Sequence, residues 1–112
     1  MNQATDIATL LPARDEEGYL IEPGDWSEDV AHALAHDENI ELNDDHWDAL
    51  RFMREYYDEH QVAADARFVI KHLAERVGKD AHKLLFVLFP YGYVKQACKI
   101  AGMRRPRAWS TG

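Results

Sequence analysis

The sequence predicts a mainly α-helical fold: a compact bundle of about five helices, a small N-terminal β-hairpin and a C-terminal arm. Apolar residues recur at three- and four-residue spacing in successive stretches after Pro23, as they do in helices that bury one face. Asp or Asn stands just ahead of four such stretches (Asp25, Asn43, Asp65 and Asp80), where a side-chain oxygen can satisfy the free N–H groups of a first turn. The 112 residues are 46% hydrophobic, enough for one domain, 1–112, with a core that needs no disulfide staples.

Residues 1–6 are expected to form a disordered start. Ile7–Leu11 reads as a strand, Arg14–Gly18 as a turn and Tyr19–Ile21 as the returning strand. Two strands are marginal alone, so the hairpin has to lean on the helices. Pro23-Gly24 breaks the pattern. Asp25 is expected to cap a helix from Trp26 to His36, with Trp26, Val30, Ala33 and Leu34 on one stripe. Asn43 caps the clearest helix, Asp44 to Glu59. Asp44 and Asp45 stand in its first turn, where the helix dipole favours negative charge, and Trp47, Leu50, Met53, Tyr56 and Tyr57 follow at helical spacing.

The link from His60 to Ala64 is short, so the next helix must fold back or cross sharply. Asp65 caps that helix, Val69, Ile70, Leu73 and Val77 line its face, and Gly78 ends it. Asp80 caps a fourth, with Leu84, Leu85, Val87 and Leu88 expected inside, until Pro90 stops it. A last short helix is expected from Tyr93 to Ala101, ended by Gly102, and residues 103–112 form the arm.

The apolar runs are far too short to span a bilayer. The first residues lack the basic and long apolar regions of a signal peptide. A single cysteine, Cys98, excludes an internal disulfide framework and fits a reducing, cytoplasmic setting. The net charge of −7 is unevenly spread. All 20 Asp and Glu fall within residues 1–80, whereas residues 81–112 carry Lys83, Lys95, Lys99, Arg104, Arg105 and Arg107 and no acid. Such polarity bears on partners and steering rather than on fold.

Cys98 is the candidate redox or persulfide thiol. On a regular helix it falls at the edge of the face formed by Val94, Ala97, Ile100 and Ala101, toward Lys95 and Lys99. With Arg104 and Arg105 these lysines are the candidate thiol-activating groups, since positive charge stabilises a thiolate. The base rate for free cysteine points the other way, to a buried small hydrophobe. Conventional nucleophilic catalysis needs a base in contact with the nucleophile, and nothing places any of the six histidines beside Cys98. His32 and His36 are spaced i, i+4 but lack the further ligands of a zinc site, so no metal and no cofactor is expected. Phosphate loop, nucleophile elbow and dinucleotide fingerprint are all missing.

Several segments together resemble the DsrC/TusE family, the gamma-subunit-like protein of dissimilatory sulfite reductase and the sulfur-relay protein of tRNA 2-thiouridine synthesis. They are Asp15-Glu-Glu-Gly-Tyr-Leu20, the helix start at Trp26, His46-Trp47-Asp48 running into Arg54-Glu-Tyr-Tyr57, Leu88-Phe-Pro-Tyr-Gly92, and Lys95-Gln-Ala-Cys98-Lys-Ile-Ala-Gly102 followed by Pro106. The resemblance implies an orthogonal helical bundle with a small β-hairpin and a mobile arm. It implies a protein that is at most a sulfur carrier rather than an enzyme, holding sulfur on a cysteine next to the C-terminal residue. In sulfite-reductase-associated members a second cysteine lies eleven positions earlier. Cys98 matches that upstream cysteine, and the carrier position falls on Trp109.

Indole holds no persulfide. The resemblance therefore implies an accessory or regulatory protein of sulfur metabolism that docks onto sulfite reductase or sulfur-relay components, with Arg107 and Trp109 in the docking arm. Cys98 is left with a single-thiol role: a persulfide, a mixed disulfide or a Cys98-linked dimer. Two alternatives stand beside this. One is a helix-turn-helix-like DNA-binding regulator built on helices 44–59 and 66–77, though phosphate binding relies on Lys and Arg and the body is acidic. The other is a single-cysteine sulfurtransferase or persulfide carrier in tRNA thiolation or sulfur oxidation.

Overall fold

Ser27, Asn43 and Asp65 each turn a side-chain oxygen onto the free N–H groups of a first helical turn, and the first three α-helices start there in the computed structural model, which describes residues 11–106. These are α1 (Glu28–Asp37), α2 (Asp44–His60) and α3 (Ala66–Val77); α4 follows as Ala81–Leu88. The cap of α1 falls on Ser27, not Asp25. Asp25 closes a 3-10 turn, Pro23–Asp25, and Trp26 is extended at φ −69°, ψ 146°, which keeps it out of the helix. Ser27 Oγ then accepts from Val30 N at 3.2 Å.

The cap of α2 is reciprocal. Asn43 Oδ1 accepts from the N–H groups of Asp45 and His46, while His46 Nδ1 accepts from Asn43 N at 3.0 Å, a histidine doing what Glu or Gln does in a capping box. α2 stops at Gln61, whose φ of +60° is left-handed; α3 stops at Gly78. Asp80 precedes α4 but makes no side-chain cap, because the 3-10 turn Gly78–Asp80 runs straight into the helix and Ala81 N bonds Gly78 O. α4 ends at Leu88, two residues before Pro90.

Two of the expected elements are also corrected. Among the described residues no strand forms: the expected hairpin is reduced to one isolated antiparallel bridge, Arg14 to Leu20. Asp15 explains this, since its carboxylate accepts from the N–H groups of both Glu17 and Tyr19, closing a tight loop over Gly18 at φ +94° instead of leaving N–H groups for a ladder. Residues 7–10 of the expected first strand, and the start 1–6, lie outside the described residues. The described residues also hold four α-helices rather than five. The last expected helix is a π-helix, Tyr93–Cys98, with helical backbone continuing to Ile100. Val94 O, inside this segment, accepts from Tyr19 OH at 3.0 Å, and an outside donor drawn onto a helix carbonyl is a recognised cause of departure from the regular ladder.

One apolar cluster joins the helices. Leu34, Leu50, Met53, Leu73, Phe89 and Ile100 are fully buried in it, and Leu20 reaches in from the Asp15 loop. The loop therefore does lean on the helices, as a loop. Val87, expected inside, is 69% exposed: Leu85 and Leu88 take the inward face of α4 and leave Val87 on the outer one. Met103, first residue of the expected arm, is buried. Arg104 and Arg105 lie back on the N-terminal loop, Arg104 Nε donating to Ile21 O at 2.9 Å and Arg105 pairing with Glu17.

Candidate functional site

Cys98 stands at the end of the π-helix, and the wider turn decides its surroundings. A π-helix brings residues i and i+5 together, and here they are Tyr93 and Cys98. The phenol donates its one proton to Ala64 O at 2.6 Å, and its oxygen is the hydrogen-bond partner of the thiol. The sulfur is fully buried rather than at a face edge. Burial pushes the Cys98 thiol up to about 12 from an ordinary 9.0, opposed only in part by the Tyr93 hydrogen bond.

The expected activation of this thiol by cations is thereby reversed. Lys99 Nζ lies 3.3 Å from Glu38 Oε2 and 5.2 Å from the centre of the Tyr19 ring. Arg104 is spent on Ile21 O and Arg105 on Glu17. Lys95 is exposed at the surface. Carboxylates and a carbonyl, not the sulfur, hold three of the four groups, and desolvation dominates the thiol. Arg107 and Trp109, the expected docking residues, lie outside the described residues.

The π-helix and the residues just after it are fastened by side chains from distant parts of the chain. Trp26 Nε1 donates to Ile100 O at 2.8 Å. Arg54 donates to Ala101 O and Pro23 O, both at 3.0 Å, with its guanidinium 4.8 Å from the Trp26 ring centre. Gly102 completes this clamp: its φ is +78°, and a Cβ there would stand 2.8 Å from Cβ and Cγ of Trp26. Gln96, also buried, donates from Nε2 to Glu38 Oε1 at 3.1 Å and accepts from Tyr91 N through Oε1. Trp26, Arg54, Gln96 and Gly102 all stand in the motifs that carry the family resemblance, but nothing in the sequence shows that they meet.

His46 was another hidden polar group. It is buried, donates from Nε2 to Leu88 O at 2.9 Å and accepts at Nδ1 from Asn43 N, which fixes it as a neutral imidazole. Burial holds its pKa below the ordinary 6.5. The Asn43-x-x-His46 spacing was its sequence signal.

His32 and His36 border a shallow cleft with Asn39 and Glu41, and His32 meets the Trp47 ring edge-on at 5.0 Å. Among the described residues no three metal-binding side chains converge. The α2–α3 pair carries a polar latch. Arg76 bridges Asp45 at 2.8 Å and Asp48 at 3.1 Å, and His72 Nε2 lies 2.9 Å from Asp48 Oδ1. Arg67, Lys71 and Glu75 remain on the outer side of α3. No helix among the described residues is long and apolar enough to cross a membrane.

A second cleft, of about 400 Å³, opens between the Asp15–Tyr19 loop and the π-helix, with Tyr19, Tyr91, Lys95, Lys99 and Arg105 in its walls.

A family model described as "DsrC like protein" matches residues 7–108. The chain is 44% identical over 94 residues to sulfurtransferase TusE of Salmonella typhimurium, covering 82% of this chain and 86% of that protein. It is 40% identical, with the same coverage, to the sulfurtransferase TusE homolog of Haemophilus influenzae. The fold is similar to the crystal structure of the oxidized gamma-subunit of the dissimilatory sulfite reductase (DsrC) from Archaeoglobus fulgidus, at a TM-score of 0.80 and 36% identity, covering 88% of this chain and 92% of that one. The NMR structure of Allochromatium vinosum DsrC matches at a TM-score of 0.75 and 44% identity over 88% and 89% of the two chains.

Proposed function

From the premise that this chain belongs to the DsrC-like family, we propose that it serves sulfur metabolism as a non-enzymatic accessory protein that docks onto sulfur-relay or sulfite-reductase components. Relatives named sulfurtransferase TusE and structures titled DsrC support those two partner classes. The observation that carries the docking role is the state of the sole sulfhydryl. Cys98 is sealed and its thiol is pushed up to about 12. At neutral pH the thiol then stays protonated and the reactive thiolate is scarce. A carrier needs a sulfur that meets its donor; this one does not.

Sulfur transfer to Cys98 would require the thiolate to attack the terminal sulfur of a donor persulfide, forming Cys98–S–SH and releasing the donor's own thiolate. That step, like a Cys98-linked dimer, demands local opening of the π-helix. Cys98 therefore responds to redox or persulfide donors only in the opened state. The docking arm is assigned to 103–112, with Arg107 and Trp109 as its cationic and apolar contacts. A lone free thiol suits a reducing, cytoplasmic setting. DNA binding would rest on α2 and α3, where Arg76 is already engaged by Asp45 and Asp48, so protein docking is favoured.

Polysulfide treatment followed by intact-mass measurement tests the carrier question. We expect no sulfur adduct on the native chain and a single adduct once denaturant opens it. Prompt stoichiometric persulfidation of the native chain would establish the single-cysteine carrier instead. Docking is tested separately by pull-down of sulfur-relay and sulfite-reductase components with and without residues 103–112. Retention of none by the full chain removes the docking role.

A further inference from the structure

Apolar side chains left in water concentrate at one place. Of the large hydrophobic residues exposed among the described residues, Phe86 (49%), Val87 (69%) and Tyr91 (75%) fall within six consecutive positions, at the end of α4 and in the turn after it. Lys83 lies one helical turn before Phe86 and Val87, on the same outer side of α4. Tyr91 is shared: it is also a wall of the cleft that holds Lys95, Lys99 and Arg105. An apolar ridge thus runs directly into a cationic cleft, and from Ala81 to the C-terminus neither ridge nor cleft draws a single acidic residue from its own stretch of chain.

Carboxylates of the chain itself already reach into this cleft. Its only carboxylates come from elsewhere in the chain, and each caps one cation: Glu38 lies on Lys99 at 3.3 Å and Glu17 pairs with Arg105. Lys95, one helical turn before Lys99 and exposed, has no acidic side chain among those ion pairs. We propose that the Phe86/Val87/Tyr91 ridge and the Lys95 side of this cleft form a second docking surface, whose occupant is an acidic protein segment bearing apolar anchors. The anchors cover Val87 and Tyr91, and a carboxylate meets Lys95. Charge complementarity selects this occupant over a second copy of the chain's own basic end. The surface deepens the docking role but is separate from residues 103–112.

A displayed library of random short peptides, selected on the full-length protein, tests it. The expected result is enrichment of peptides rich in Asp and Glu with interspersed Leu, Phe or Trp. Their affinity should fall by about tenfold in Val87→Ser or Lys95→Glu, as for a central interface residue, and should weaken with salt. Both positions are exposed, and an unchanged melting transition verifies that the variants fold. The surface is overturned by no enrichment, by neutral or basic consensus peptides, or by acidic peptides whose binding both variants retain. Concentration-dependent dimerisation abolished by Val87→Ser would also overturn it, assigning the ridge to a second copy. Loss of partner pull-down on deleting 103–112 would be unaffected by any of these results, so the two docking proposals fail independently.

Discussion

Cys98 and Tyr93 are partners only because five residues close a turn between them, and this spacing carries a prediction. Tyr93→Phe keeps the ring but removes the hydroxyl from Ala64 O and from the thiol. The buried carbonyl is left unsatisfied, so a loss of about 1–3 kcal/mol is expected, read from urea unfolding; an unchanged midpoint would mean that the hydroxyl carries no weight there. His46 gives a pH-dependent prediction. Its folded pKa lies below the ordinary 6.5, so the unfolded chain binds the proton more readily. Its contribution is full above 6.5 and is lost as pH falls through the lowered folded value. Urea midpoints should decline in that window for the native protein and decline less in His46→Gln. Parallel curves for the two would contradict the assignment. Tyr93 reads in the sequence as one more aromatic, and His46 leaves only its spacing from the capping Asn43 as a signal.

Elements were legible to the extent that local chemistry governs them. Asn43 and Asp65 cap α2 and α3 where an Asn or Asp ahead of an apolar stripe said they would. Asp25 misled because Pro23 holds it in a 3-10 turn and Ser27 supplies a better-placed oxygen. The expected hairpin gave way to the bonds of the Asp15 carboxylate, and the expected fifth α-helix to clamps reaching in from Tyr19, Trp26 and Arg54, all more than forty residues distant in sequence. Those long-range contacts are invisible to periodicity. They are testable at Gly102. Both Gly102 and Gly78 have positive φ, but a Cβ at Gly78 meets nothing within 4 Å, whereas at Gly102 it runs into Trp26. Gly78→Ala should cost about 1–3 kcal/mol, the backbone penalty alone. Gly102→Ala should cost about 1–3 kcal/mol more than that, through overpacking against Trp26. Equal losses in chemical denaturation would show that the clamp is slack.

Across the whole molecule, the basic C-terminal stretch is tied to the acidic body by Lys99–Glu38 and Arg105–Glu17. The charge asymmetry read from the sequence is thus partly neutralised within the fold, and its remainder, with Lys83 and Lys95, is available to partners. Partner association should therefore slow as salt rises, since screening removes steering; stopped-flow rates independent of ionic strength would contradict this. The family was readable from motifs spread over most of the chain. The condition of its one thiol was not, because a helical wheel at 100° per residue puts Cys98 beside lysines and the π-turn puts it beneath a phenol.

The most direct measurement is the rate at which a small alkylating reagent labels Cys98 in the native protein as pH is varied. A sealed, docking-protein thiol predicts slow labelling, with reactivity still rising above the ordinary thiol value of 9.0 and strong acceleration by sub-denaturing urea. Fast, stoichiometric labelling at neutral pH, levelling off below 9.0, would contradict it and make Cys98 an accessible sulfur carrier.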